Sequence, residues 1–304
     1  MQNDHPLFSI IIPTFNRSRK LRRALESVSS QTNQDFEVLV CDDGSTDDTG
    51  DVVASFKNRL NLTYLYDANW GGPARPRNNG ISKARGEWIC FLDADDWWYP
   101  DKLAVVSVHL SNSAIVYHDL DIYPRKALRL INRMRGRHLH RPVFVDLMLR
   151  WNTVFTSSAV VRKTIIDMAG GFSEDRNLIG VEDFDLWLRI SRMSEDFSYV
   201  QRSLGAYWTD ESSLTEVSER QIGRITSIFN KHAPHLPEGE RAQAKLLLQY
   251  STARIKQKIG SFDDARSLFT QTVRMKNRKF RRMSLFMLYL IHCRAFLPAS
   301  WLKI

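Results

Sequence analysis

The stretch EWICFLDADDWWYPDKL, Glu87–Leu103, decides the fold. Its first part, EWICFLD (Glu87–Asp93), is a nearly unbroken apolar run, the pattern of a strand buried on both faces of a parallel sheet. Directly after it, Asp93, Asp95 and Asp96 fall within four residues. Crowded carboxylates repel and raise one another's pKa unless a cation or hydrogen-bond donors compensate. A core has no use for them, so the end of this strand is expected to face a ligand cleft. Hard oxygen ligands of this kind suit Mg2+ or Mn2+ bridging to substrate phosphates. Taken alone, the tripeptide is equally well a solvated acidic turn that caps the next helix. Trp97, Trp98 and Tyr99 read first as core, and second as a surface on which a sugar stacks.

Outward from this stretch, strand and helix patterns alternate. FSIIIP (Phe8–Pro13) and FEVLVCD (Phe36–Asp42) are further buried strands, with Leu21, Leu25 and Val28 at helical spacing between them. LTYLYD (Leu62–Asp67) is a third strand, and a Gly/Pro loop over Asn69–Arg77 leads into a helix through Ala84. Downstream, Pro100–Leu110 reads as a helix and AIVYHD (Ala114–Asp119) as a fifth strand. The alternation predicts a doubly wound α/β domain that binds ligands at the carboxyl ends of its strands. Residues 121–156 read as basic and irregular, and SSAVVRK (Ser157–Lys163) as a strand entering a helix. Gly170, Gly171 and Gly180 bracket a loop before the helix VEDFDLWLRISRM. From about Glu216 the pattern is helical, so residues 1–215 are expected to form the α/β domain and 216–304 a helical region. GSFDDARSLF within it resembles one turn of a helical repeat, but a single copy is not an array.

The 304 residues suffice for one large domain with a smaller one. A hydrophobic share of 43% and a charged share of 25% exclude a disordered or fibrous chain. Three scattered cysteines, Cys41, Cys90 and Cys293, exclude a disulfide framework and point to a reducing cytoplasm. The start, MQNDHPLF, has no signal-peptide pattern, and no 18-residue apolar run predicts a membrane span. The net charge of +9 is unevenly placed. No acid follows Asp264, and residues 265–304 hold nine Lys and Arg, equal to the whole excess. Residues 122–145 hold seven more cations and no acid, a candidate acceptor-side patch. Cations alternate with Met275, Phe280, Met283, Leu285, Phe286, Tyr289 and Trp301 in the last segment. That pattern suits a helix at an anionic membrane interface, or a helical bundle with a solvated basic face. No nucleic-acid-binding motif accompanies the basic charge.

Four further motifs carry candidate chemistry. PTFNR (Pro13–Arg17) ends the first strand, where Asn16 can simply cap a turn. In CDDGSTDDT (Cys41–Thr49), Asp42 or Asp43 can accept from a base N–H or a ribose hydroxyl, while Ser45 or Asp47 caps a helix. In GGPARPRNNG, Arg75 and Arg77 can meet a diphosphate or remain solvated. In GVEDFDLWLR, Glu182 and Asp183 start a helix, where the dipole favours acids in any case; a general base is the functional reading.

Together, SIIIPTFNR, EVLVCDDGSTDDT, RNNGISKARGEWICFLDADD and EDFDLWLR resemble the inverting nucleotide-sugar glycosyltransferases of family 2, over Phe8 to about Thr215. The resemblance is to the bacterial surface-polysaccharide type. It implies the GT-A fold, a Rossmann-like mixed sheet flanked by helices, followed by a C-terminal helical region. It implies a nucleotide-sugar donor, a UDP-sugar first, with Pro13, Thr14 and Phe15 lining the base and Asp43 or Asp42 contacting it. Arg77 would meet the nucleotide region, and Asp93, with Ala94 beside it, the ribose or sugar. Asp95 would ligate Mn2+ or Mg2+, and Asp183 would be the base with Glu182 as its neighbour. Many relatives carry Arg-x-His before Ser-Leu-Thr; here YWTDESSLT places Trp208 and Asp210 at those positions, so Asp210 is a second candidate metal ligand or a loop residue. The implied acceptor is a glycan or a lipid-linked saccharide, and the implied location is the cytoplasm, at the inner face of the cytoplasmic membrane. Two other classes stay open: a nucleotidyltransferase on a similar sheet, and a catalytically silent sugar-nucleotide-binding module. A dehydrogenase is disfavoured because no G-x-G-x-x-G follows the first strand.

Overall fold

A computed structural model of the chain describes residues 5–124, 132–209 and 218–293. The chain opens with β1 (Phe8–Thr14), α1 (Ser18–Ser29), β2 (Phe36–Asp42), α2 (Thr49–Ala54), β3 (Leu62–Tyr66), α3 (Ala74–Lys83) and β4 (Trp88–Phe91). There follow β5 (Trp97–Trp98), α4 (Lys102–Ser107), β6 (Ile115–Tyr123), β7 (Arg133–Met134), α5 (Val143–Arg150), β8 (Val160–Arg162), α6 (Lys163–Ala169), α7 (Glu182–Ile190) and β9 (Phe197–Trp208). The last elements are α8 (Glu219–His232), α9 (Glu238–Lys258), α10 (Phe262–Thr272) and α11 (Arg278–His292). Cα proximity divides the chain into two compact units, one of residues 1–143 and 152–210, the other of 144–151 and 211–304.

The first unit is built on one mixed sheet of order β3-β2-β1-β4-β8-β6-β9-β5, with β7 paired to β6. β1 to β4 are parallel. Every residue of β1 and β2 is buried, in keeping with their mainly apolar sequence, and the buried Ser9 hydroxyl donates to Glu37 on the neighbouring strand at 2.7 Å. β8 runs antiparallel to both β4 and β6, and β9 runs parallel to β6 with two register shifts. The sheet is the expected GT-A-like mixed sheet with helices against it. Ile10, Ile12, Val38, Val40, Leu21 and Leu25 belong to its core cluster. Truncating one such side chain to Ala costs about 2–5 kcal/mol.

Residues 121–156 depart from the irregular segment expected. β6 continues to Tyr123, β7 returns beside it, and Val143–Arg150 is helical. The alternation in IVYHDLDIY and the apolar periodicity in VFVDLMLR specify this strand and helix on either side of the arginines. Arg125, Lys126 and Arg129 of the basic stretch lie outside the described residues.

Two glycines seat the site. A Cβ at Gly80 would lie 2.8 Å from Cys41 Sγ and 2.8 Å from Ile11 Cγ2, so α3 approaches the sheet closely. Gly180, at φ 87°, makes the left-handed turn into α7.

The second unit is helical. α9, α10 and α11 share a core of Ala253, Ala265, Phe269, Met287, Leu290 and Ile291. No described helix is long and apolar enough to cross a membrane. Cys41 and Cys90 are buried, and all three cysteines are free thiols.

Candidate active site

The carboxyl ends of β1, β2 and β4 carry the motifs. After β1, the Asn16 backbone N–H donates to Ser45 Oγ at 2.8 Å, and Asn16 Oδ1 accepts from the Thr46 N–H at 2.8 Å. The loops after β1 and β2 are thus tied to each other. Thr14 is buried with an unpartnered hydroxyl, while Phe15 is 43% exposed. Asp42 accepts from the Tyr64 hydroxyl at 2.6 Å and the Ser45 N–H at 2.7 Å. Asp43 accepts from the backbone N–H groups of Trp70 (2.8 Å) and Gly71 (3.0 Å), which fixes the Gly/Pro loop before α3. Both aspartates are buried, so part of their hydrogen-bonding capacity is spent on shaping these loops.

The three acids after β4 have different surroundings. Asp93 accepts from Arg77 Nη2 at 2.6 Å. Asp95 is paired with Arg17, and its backbone carbonyl accepts from Arg23 Nη2 at 2.5 Å. Asp96 is wholly enclosed, accepting from Ser157 Oγ at 2.5 Å and from the Trp208 N–H at 2.9 Å. Burial, followed by the neighbouring charges, drives the pKa of Asp96 well above the carboxylate range. Burial also raises that of Asp95, with Arg17 pulling the other way and Asp93 adding to the rise. Ala94 is buried between them.

Arg77 is 3% exposed and lies in the floor of the site. Its Nη1 meets Glu182 Oε1 at 2.7 Å while Nη2 holds Asp93, so one guanidinium joins the acids after β4 to the start of α7. Both carboxylates raise its already high pKa against the opposing effect of burial. Glu182 also accepts from the Gly180 N–H at 2.5 Å. No arginine is paired with Asp183, although the charge of Arg77 acts on it and opposes the rise of its pKa. Its Oδ2 accepts from Thr156 Oγ1 at 3.0 Å and Asn152 Nδ2 at 3.3 Å, and its Oδ1 from the Phe184 N–H at 2.6 Å. Desolvation, then the charge of Glu182, pushes the Asp183 carboxyl up to about 7. The side chain is nevertheless only partly buried by surface area, which leaves it reachable by a hydroxyl.

The sequence reading missed the turn that joins these groups. Thr156–Ser158 is a single 3-10 turn before β8. Its Thr156 holds Asp183, and its Ser157 holds Asp96 and accepts from the Asp93 N–H at 3.1 Å. Ser157 is fixed in turn by Trp98, whose indole N–H donates to its carbonyl at 2.8 Å. The Lys102 ammonium sits 3.6 Å from the Trp98 ring centroid, and its burial lowers its pKa to about 8. Trp98 is therefore core, as first read. Trp97 is partly buried, 5.0 Å from Tyr123 and covered by Arg23 at 4.0 Å. Arg17 and Arg23, both next to Asp95, were also missed; the signal was their place after the first strand.

Among the described residues, no three His, Cys, Asp or Glu side chains form a metal cage. Mg2+ is characteristically held by one or two carboxylates together with substrate phosphates and water. Asp95 offers a donor of that kind, a carboxylate after β4 paired with Arg17 and acted on by the charge of Asp93. Asp210 lies outside the described residues.

Residues 9–156 match the model of "Glycosyl transferase family 2". The matched stretch, just under half of the chain, is a family 2 glycosyltransferase domain. Within it lie Thr14, Asp42, Asp43, Arg77 and the three acids after β4; Asp183 lies beyond the matched residues. An uncharacterized glycosyltransferase of Rickettsia conorii is 44% identical over 189 residues, which cover 60% of this chain and 30% of that protein. A poly(ribitol-phosphate) beta-N-acetylglucosaminyltransferase, TarS, of Staphylococcus aureus is 36% identical over 116 residues, 36% of this chain and 20% of the enzyme. The chain thus spans less than a third of the length of these two relatives. In fold, the chain is similar to crystalline TarS, with a TM-score of 0.64 and 19% identity over 95% of this chain and 52% of that one. It is similarly related to a mannosyltransferase of Pyrobaculum calidifontis, with a TM-score of 0.64 and 18% identity over 98% and 83% of the two chains.

Proposed function

We propose that this chain is an inverting glycosyltransferase. It would move a sugar from a nucleoside diphosphate, uridine first, to a hydroxyl of a glycan or lipid-linked saccharide in cell-surface polysaccharide synthesis. The observation that carries the reading is Asp183: a reachable carboxylate with a pKa of about 7, next to Glu182, which Arg77 engages. A general base works best with a pKa near the working pH, and proton transfer of this kind contributes about 10²- to 10⁴-fold. The comparisons support the donor class. TarS has been crystallised with UDP-GlcNAc, and the mannosyltransferase with GDP-Man and Mn2+.

In this reading Pro13, Thr14 and Phe15 line the base, and the orphaned Thr14 hydroxyl finds its partner there. Asp42 and Asp43 contact the nucleoside while holding the loop, and Asp93, beside Ala94, meets the ribose or sugar. Arg77 acts beneath the nucleotide, by holding Asp93 and Glu182 in place. A divalent ion, Mn2+ or Mg2+, held by Asp95 and by Asp210 if that residue reaches it, would neutralise charge on the leaving diphosphate. Asp183 takes the acceptor proton as the acceptor oxygen bonds to the anomeric carbon. The bond to the diphosphate breaks on the opposite face, its electron pair leaves with the phosphate, and the centre inverts. Thr156 and Asn152 hold the carboxylate through the step, and no enzyme nucleophile is needed. A lipid-linked acceptor places the reaction at the inner face of the cytoplasmic membrane. Residues 1–215 would form the catalytic domain, with 216–304 as its helical partner.

Product analysis tests the reading. With a nucleotide sugar and an acceptor, release of nucleoside diphosphate with an inverted linkage supports it, and pyrophosphate release would make the chain a nucleotidyltransferase. A thermal-shift screen with Mn2+ in which no nucleotide sugar or nucleoside diphosphate stabilises the protein would count against the donor site.

A further inference from the structure

We propose that α11 is an obliquely inserted membrane-binding helix whose partner is an anionic lipid surface. Residues 278, 281, 282, 285, 286 and 289 follow the spacing that places side chains on one helical face. They are Arg278, Arg281, Arg282, Leu285, Phe286 and Tyr289, all exposed. Leu285, Phe286 and Tyr289 are 55%, 49% and 64% exposed. The opposite face, with Ser284, Met287, Leu290 and Ile291, is buried against the core that α9 and α10 share. Ser284 is further fixed by a 2.8 Å hydrogen bond to Thr272. The exposed face is therefore not the side on which α11 packs.

Its charge is placed against helix stability. Arg278, Lys279 and Arg281 occupy the first turn, where the macrodipole is positive and disfavours cations, and Arg282 follows directly. The helix contains no acid, and Asn277 caps it through the Lys279 N–H at 3.1 Å. None of these four side chains has an acidic partner among the described residues. On the packed neighbour α10, the acids are Asp263 and Asp264 of the first turn, and Asp264 lies 3.5 Å from Lys256. Four cations without an acidic partner among the described residues, three of them in the turn that penalises them, call for an external anion.

The order along the axis identifies that anion. A soluble acidic partner would need only the cations, and a second copy of this chain would bring the same positive charge. Cations followed on the same face by bulky apolar side chains match a bilayer, where phosphates lie above acyl chains. Because the two kinds of residue are segregated along the helix rather than around it, the C-terminal half would dip into the interface while the N-terminal half stays at the phosphates. This deepens the lipid-side reading of the acceptor given above. Vesicle binding needs neither donor nor acceptor, so failure of one reading leaves the other standing.

The full chain is sedimented with vesicles of phosphatidylcholine alone and of phosphatidylcholine with phosphatidylglycerol. Binding is expected only to the anionic vesicles, with about fivefold loss for each cation removed. Arg281→Gln/Arg282→Gln and Leu285→Ser/Phe286→Ser/Tyr289→Ser would each weaken it. In a Cys293→Ser background, an environment-sensitive dye on Phe286→Cys would shift to the blue with anionic vesicles, and the same dye on Lys279→Cys would not. The dye pair keeps the proposal testable should a multiple variant unfold. Undiminished binding by both variants, or equal shifts at both labels, would overturn it. So would an apolar variant that abolishes self-association in sedimentation velocity while the parent ignores vesicles, since the occupant would then be a second copy.

Discussion

The end of β4 and the start of α7 each present adjacent acids, and they manage the charge in different ways. After β4, Asp93 is clamped by Arg77 and Asp95 by Arg17. At α7, the clamp is selective: Glu182 takes the other end of Arg77, while its neighbour Asp183 receives only neutral donors. Two carboxylates adjacent in sequence thereby acquire different work. One is a fixed counter-ion, and the other is a carboxyl poised near neutrality. A guanidinium with two partners can thus join two clusters and still leave the next acid in sequence bound only by neutral donors.

Removing the unclamped acid has the largest expected effect. Asp183→Asn keeps the shape but cannot take a proton, so kcat should fall about 10³-fold with the donor KM little changed. A comparable rise in donor KM instead would move Asp183 into the binding machinery. At the clamped cluster, Asp95→Ala should cost about 10²-fold in kcat/KM, as expected for losing one electrostatic contributor to the transition state. It should also abolish Mn2+-dependent stabilisation by UDP in a thermal shift.

Breaking the clamp tests the comparison from the other side. Arg77→Met strands Asp93 and Glu182 without their shared cation, and removing one partner of a buried ion pair costs about 3–5 kcal/mol. Urea denaturation should show that loss at pH 7, and a loss below about 1 kcal/mol would mean the clamp is not structural.

How much of this was legible depended on the distance over which residues act. β1 and β2 announce themselves through local apolar runs, and the acids after β4 through their density. β9 did not, because its burial is interrupted and its pairing with β6 shifts register twice. β5 is two residues long and makes sense only beside β9. Asp183 was visible as one of two helix-start acids, but nothing in EDFDLWLR says which is clamped. That is settled by Arg77, 105 positions away from Glu182. Thr156 and Ser157 are ordinary hydroxyl residues in sequence; their roles arise from Asp183, 27 positions later, and Asp96, 61 positions earlier.

Two smaller effects sharpen the same contrast. Asp183 binds its proton more tightly folded than unfolded, so its contribution to stability is present in acid and lost as pH rises through about 7. Asp183→Asn should therefore match the parent Tm only at about pH 3.5, draw ahead as pH rises from about 4 to about 7, and exceed it at pH 8.5 by about 5 °C given its partial exposure. Arg17→Met should tighten Mn2+ binding about fivefold, read by the paramagnetic resonance of free Mn2+, because the arginine then no longer competes for Asp95. Unchanged affinity would mean that Arg17 and the ion do not share the carboxylate.

The pH dependence of kcat/KM tests the central claim most directly. In the parent enzyme the rate should rise with pH through a single ionisation near 7, the deprotonation of Asp183, and level off above it. In Asp183→Asn the residual rate should lose that limb. The same limb persisting in Asp183→Asn would assign the base to another group and contradict the account.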